Sequence, residues 1–171
     1  MGDRENVRAF YSVATAEQYK VMMQSEDELK YYRADVAELA KIVVPGLPVL
    51  DVGCGCGDLL NLVHTVNPDL KLVGIDAAET MLTHARALVP SATFAIGDAT
   101  SITSVTDSSI GALLCTFVTH HLEDEEFHCA VNEFARVLSI GAPVYHVYWL
   151  GEGEMEGLTN RHRCSSAQRN S

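Results

Sequence analysis

Residues Val49 to Leu59 read VLDVGCGCGDL: an apolar run, an aspartate, then glycines at 53, 55 and 57. This is the signature of a buried strand that enters a tight glycine turn and opens onto a helix. Glycine has no Cβ and reaches positive φ, so a ligand can lie directly against the turn's backbone. A second apolar run follows and also ends in an acid, Leu72-Val73-Gly74-Ile75-Asp76, and a third ends in Ile96-Gly97-Asp98-Ala99. Three strand ends in order, each with an acid at its C-terminal edge, point to a nucleoside-binding crevice.

The flanking pattern alternates strands and helices. Strands are expected at about 48–52, 71–75, 92–96, 110–116 and 143–149, and helices at about 57–66, 79–88 and 124–138. The last helix carries Phe127, Val131, Phe134 and Leu138 as its apolar face. The strands are near-continuous apolar runs, as a parallel sheet covered on both faces requires. The fold expected is α/β: a doubly wound, Rossmann-like, mainly parallel sheet of about five strands.

Upstream, about Ala16 to Val44 reads as helix, rich in Ala, Glu, Leu and Met. A break is expected near Ser25, where Ser25 and Glu28 form a capping-box pattern. Leu29, Tyr32, Val36, Leu39, Ala40 and Val43 then make an apolar stripe, and Pro45-Gly46-Leu47-Pro48 ends it. This divides one domain into an N-terminal helical cap (1–44), a cofactor-binding core (45–150) and a polar tail (151–171).

The chain has 171 residues, a net charge of −11 and a pI near 4.9. That acidity argues against nucleic acid and anionic membrane as partners. No apolar segment has the length of a membrane span, and the charged N-terminus lacks the apolar middle of a signal peptide. The five cysteines are odd in number and show no paired C-x-x-C spacing, which suits reduced thiols and a cytoplasmic setting. Cys54 and Cys56 sit inside the glycine turn without matching ligands elsewhere, so no metal is expected there.

Each strand end has a chemical use. Gly53 and Gly55 bring backbone close to a ligand, and the helix opening near Gly57 aims N–H groups and its positive dipole end at the same place. Asp51, at the entrance, can accept from an ammonium or an ordered water. Asp76 offers paired acceptors to two ribose hydroxyls. Asp98 can accept from a purine's exocyclic amine, with the Ala99 N–H serving a ring nitrogen. Singly, such aspartates are often only caps or turn formers; the ordered set carries the argument. Position 58, where a dinucleotide fingerprint has its third glycine, is Asp58, and an acid there opposes a pyrophosphate. The turn has no lysine, which excludes a phosphate-binding loop of the Gly-Lys-Ser/Thr type. An acidic crevice suits a ligand with a positive centre and no phosphate.

The motifs LDVGCGCGDLL, VGIDAAETML, AIGDAT, ALLCTFVTHHLED and EFARVLSIGAPV together resemble those of class I S-adenosylmethionine-dependent methyltransferases. They are most similar to the small-molecule, ubiquinone-biosynthesis-like branch. The resemblance covers about residues 45–149. It implies S-adenosyl-L-methionine as cofactor and a small molecule as acceptor. By it, Asp51, Gly53, Cys54 and Gly55 line the methionine part, Asp76 holds the ribose with Ala77 beside the adenine, Asp98 and Ala99 read the adenine edge, and Thr116 lies near the sulfonium. Arg33 is a candidate partner for the cofactor carboxylate. The segment Phe10 to Ala14, with Tyr19, resembles the part that closes over the cofactor in that branch.

His120, after the fourth strand, is the candidate proton acceptor, with packing as the equal alternative; His121 reads as packing. Tyr11 and Tyr19 either shape the pocket or pack, and Tyr11 is the second catalytic candidate. The family core continues past strand five with a helix and a two-stranded hairpin, which this sequence is expected to lack. Strand five then becomes an apolar sheet edge that invites a second copy or another chain. Two functions follow: a small-molecule methyltransferase, or a methyltransferase-like protein that binds the cofactor as scaffold, partner subunit or cyclase without transferring methyl.

Overall fold

A computed structural model describes residues 26–148. Helix α1 (Glu26–Lys41) leads into β1 (Val49–Val52), α2 (Asp58–Val66), β2 (Leu72–Asp76), α3 (Glu79–Leu88), β3 (Thr93–Ile96), β4 (Ala112–Thr116), α4 (Asp124–Val137) and β5 (Val144–Val147). The strands form one sheet in the order β3-β2-β1-β4-β5, and every pairing is parallel. The expected α/β Rossmann-like sheet of five strands is therefore present, with each element close to its expected range. Tyr11, Tyr19, Ser25, Trp149 and Leu150 lie outside the described residues.

Alternation along the strands sorts side chains into two cores. Val49, Leu72, Ala112 and Leu114 pack with Val36, Leu39 and Ala40 of α1 and Leu60 and Val63 of α2. Leu50, Val52, Ile75, Leu113 and Cys115 pack on the other face with Ala130, Phe134 and Val137 of α4. Asp51 shares its face with Val49, so its carboxyl lies on the α1–α2 side. β1 and β4 are buried, whereas β3 and β5 are partly open. That is the physics of position: an edge strand has a neighbour on one side only.

Two expectations need correction. The buried stripe of α4 is Ala130, Phe134 and Val137, while Phe127 and Val131 are exposed. Both sets fit helical spacing; α4 is rotated so that Ala130, Phe134 and Val137 pack in the second core. Strand five is also shorter than expected, Val144–Val147. Val144, at its start, is exposed, and the three residues after it are half-buried.

No helix joins β3 to β4. The connection is pinned instead by Arg136 of α4. Its guanidinium donates to the carbonyls of Ile102 and Val105, each at 2.9 Å. It also pairs with Glu133 and with Asp107, both at 2.7 Å. Glu133 in turn accepts from the Ile102 N–H at 2.6 Å. These charge-assisted bonds hold Ile102 and Val105 in the second core where a helix would otherwise supply apolar cover.

Candidate functional site

The C-terminal ends of β1, β2 and β4 meet at the glycine turn. Gly53 and Cys54 donate to the Ile75 carbonyl at 2.8 and 3.0 Å. The Gly55 N–H donates to Asp76 Oδ2 at 2.9 Å. These bonds clamp the turn after β1 onto the end of β2. Gly53 has φ +71°, and a Cβ there would lie 2.2 Å from Cγ2 of Val118. Only glycine fits between that backbone and the turn after β4. Gly74 is constrained by space alone: its Cβ would stand 2.6 Å from the Phe94 ring and 2.9 Å from the Cys54 sulfur.

Asp51 is only 1% exposed. It is not at an entrance but beneath the turn, because it belongs to the fully buried β1. Its Oδ1 has no hydrogen-bond partner among the described residues. Burial, with Asp76 and Asp58 nearby, pushes its pKa up to about 8. Asp58, in the first turn of α2, is buried too. Three carboxyls are thus close enough for Asp76 and Asp58 to act on the charge of Asp51. The strand-end segments 53–58, 76–79, 97–101 and 116–123 contain no lysine or arginine. A carboxylate with no counter-charge in low dielectric keeps its proton or takes a cation.

Asp76 is fixed by its neighbours. Its Oδ1 accepts from the Ala78 N–H at 2.8 Å, and Oδ2 accepts from Gly55. Burial raises its pKa, and the N–H groups of Ala78, Gly55 and Ala77 oppose that rise. A carboxylate has about four acceptor directions, so these N–H groups leave room for a hydroxyl. The Cys54 thiol packs into the first core, and burial pushes its pKa well up. It lines the turn with backbone only.

Asp98 first makes its own turn: Oδ1 accepts from the Thr100 N–H at 2.9 Å and the Thr100 hydroxyl at 2.8 Å. Ala99 is buried against the second core, and Ala77 is half-buried. Thr116 closes β4, half-buried, opposite Val147. Arg33 is exposed on α1.

His120 belongs to the short 3₁₀ turn Thr119–His121. Its ring lies 3.9 Å from that of His121. Burial, then the neighbouring His121, lower its pKa to about 4, so at neutral pH the imidazole is uncharged. Its Nδ1 is buried with no partner among the described residues. The sequence reading missed Phe117 and Val118. Nothing in residue type marks Phe117 for φ +56°, and Val118 matters only because Gly53 lies under it.

Among the described residues no group of three or more His, Cys, Asp or Glu is placed to hold a metal. No described helix is long and apolar enough to cross a membrane.

A model of the methyltransferase domain matches residues 49–141. The dTDP-3-amino-3,4,6-trideoxy-alpha-D-glucopyranose N,N-dimethyltransferase of Streptomyces venezuelae is 31% identical over 133 residues, 75% of this chain and 55% of that protein. SAM-bound CalS10, an amino pentose methyltransferase from Micromonospora echinaspora, is 29% identical. It has a TM-score of 0.61, over 78% of this chain and 55% of its own. A SAM-dependent methyltransferase from Aquifex aeolicus, 20% identical, shares the fold with a TM-score of 0.60 over 75% of this chain and 68% of that one. The chain spans little more than half the length of the first two.

The buried acid sets a pH dependence. Asp51 has a folded pKa of about 8 against its ordinary 3.8, so between those values the folded chain holds a proton that the unfolded chain releases. Its contribution to stability is complete at low pH and is lost as pH rises towards 8. His120 and His146 have lowered pKa values and act in the opposite direction, but only below their ordinary range. Between pH 6.5 and 8 the Asp51 contribution therefore stands out. Thermal melts of the ligand-free protein should show a loss of up to about 2 kcal/mol across that window. Asp51→Asn should flatten the curve; an unchanged slope in that variant refutes a protonated Asp51.

Proposed function

Because the chain belongs to the class I S-adenosylmethionine-dependent methyltransferase family, we propose that the crevice over its glycine turn holds S-adenosyl-L-methionine for methylation of a small molecule. The observation that carries this reading is Asp51, a buried carboxyl with an orphaned oxygen beneath a turn whose backbone only glycine leaves open. The fit is chemical: a crevice with three acids and no lysine or arginine in its strand-end segments favours a nucleoside that bears a positive charge.

When bound, the cofactor supplies an electrophilic methyl group on a sulfonium. The chain's own work is alignment. Gly53 and Gly55 admit the methionine part to the backbone, and Asp51 supplies its negative charge. Asp76, held by two N–H donors, offers its remaining acceptor directions to the ribose. Ala77, Asp98 and Ala99 border the base, and Thr116 borders the reacting centre. Correct alignment of nucleophile and methyl is worth about 7–11 kcal/mol in ideal cases.

His120 suits some acceptors better than others. With a pKa of about 4, it is too weak a base to take a proton from an alcohol, but its neutral ring can accept a hydrogen bond from an amine that already carries a lone pair. The relatives with amino sugar or amino pentose names agree with an amine, so amine-bearing small molecules are the first acceptors to test. Tyr11 and Tyr19 complete the proposal as walls of the pocket, within a cap of residues 1–44. The buried thiols Cys54, Cys56 and Cys115 are in keeping with a reducing, cytoplasmic setting.

Incubation with methyl-labelled S-adenosyl-L-methionine and a panel of amines should yield labelled product and S-adenosylhomocysteine. Gly53→Ala should remove both, because its new Cβ displaces Val118. Cofactor binding without transfer to any acceptor in the panel or in a metabolite extract would favour the scaffold alternative.

The open edge of β5, with Val144 and Tyr148 exposed, is the proposed seat of a second copy or a partner chain. Light scattering should give a mass above that of one chain; a monomer that stays unchanged on concentration contradicts self-association.

A further inference from the structure

The turn after β4 holds a backbone shape that its residues do not favour. Phe117 sits at φ +56°, a left-handed conformation that is unfavourable for a residue with a Cβ. Such strain persists only where the surroundings hold it from more than one side.

The Phe117 ring packs against the first core and edge-on to His120, and two further holds come from β5. On one side, the Phe117 N–H donates to the Val147 carbonyl at 2.8 Å. On the other, Thr119 Oγ1 lies 2.8 Å from His146 Nε2. Thr119 is 4% exposed, so its hydroxyl depends on a protein partner. The His146 ring is itself set by Tyr148, stacked at 4.9 Å between centroids with 28° between planes. Burial pushes the His146 pKa down, so the ring is neutral at pH 7 and the bond forms in one tautomer or the other.

Between the two holds lies Val118, whose Cγ2 stands where a Cβ on Gly53 would be. A force on the turn after β4 is therefore passed to the floor of the crevice. We propose that His146 is a positioning residue for the cofactor site: through Thr119 it keeps the strained turn in place, and so keeps Val118 against Gly53. The inference rests on the crevice being the cofactor site. It assigns a part in binding to a β5 residue outside every strand-end motif. Without the Thr119–His146 bond, Phe117 relaxes towards ordinary backbone angles and Val118 leaves the glycine turn.

The test is a double-mutant cycle read by calorimetry with S-adenosylhomocysteine, alongside melting temperatures. Thr119→Val and His146→Leu should each weaken binding about tenfold, the equivalent of one hydrogen bond at about 1.4 kcal/mol. The double variant should be no weaker than either single one. Thr119→Ser, which keeps the hydroxyl, should bind as the wild type does. Val137→Ala, a buried position at the far end of α4, serves as control and should lower the melting temperature without changing affinity. Multiplying effects in the double variant, or an affinity loss in Val137→Ala that matches its loss of stability, would overturn the role of His146. Thr119→Val is nearly isosteric and carries the comparison if His146→Leu does not fold. A folded wild type that fails to bind the ligand removes the crevice reading itself, and the inference with it; binding with uncoupled variants removes the inference alone.

Discussion

A carboxylic acid at the centre of a parallel sheet needs either a proton or a cation, and the site follows from that constraint. Asp51 lies on β1, between β2 and β4, with almost no exposure. The neighbouring acids Asp76 and Asp58 raise the cost of its charge further. In the fold alone it would be a liability, since a leucine there would pack without penalty. On the proposed reading, a cationic ligand above the turn would convert that liability into selectivity.

The second constraint is closeness. Parallel sheets bind ligands outside the carboxyl ends of their strands, where the loops diverge. Here the turns after β1 and β4 are in contact rather than apart, because Val118 fills the space that a Cβ on Gly53 would need. The turn after β2 is tied in as well, since the Gly55 N–H bonds to Asp76. Three strand ends therefore behave as one rigid rim. A rim fixed in this way loses little freedom when a ligand arrives, which is the condition for precise alignment.

Most of the sheet was legible in the sequence because its signals are local. The apolar runs and the glycine turn read correctly, and Gly74 and Ile75 fell inside β2 as expected. What was not legible depends on contacts between distant residues. The face of α4 is an example: Phe127 and Val131 fit the helical period as well as Ala130 and Val137 do, and only the tertiary packing decides which set is buried. The depth of Asp51 also escaped, since residue type does not say whether an acid ends a strand or lies within it. Asp98 illustrates the reverse case, in which the local turn with Thr100 takes up one oxygen. Arg136 lay inside a motif that says nothing of its partners, and His146 lay in none; both make their contacts with residues about thirty positions away in the chain.

The central claim is that Asp51 exchanges a proton for the positive charge of the cofactor. Carbon-13 NMR of the Asp51 carboxyl reads this directly. In the free chain at pH 6.5 the signal should be that of a protonated acid and should titrate near pH 8. Saturating S-adenosyl-L-methionine at the same pH should move it to the carboxylate position. A carboxylate signal at pH 6.5 without ligand, or a protonated signal that saturating ligand leaves unmoved, would contradict the account.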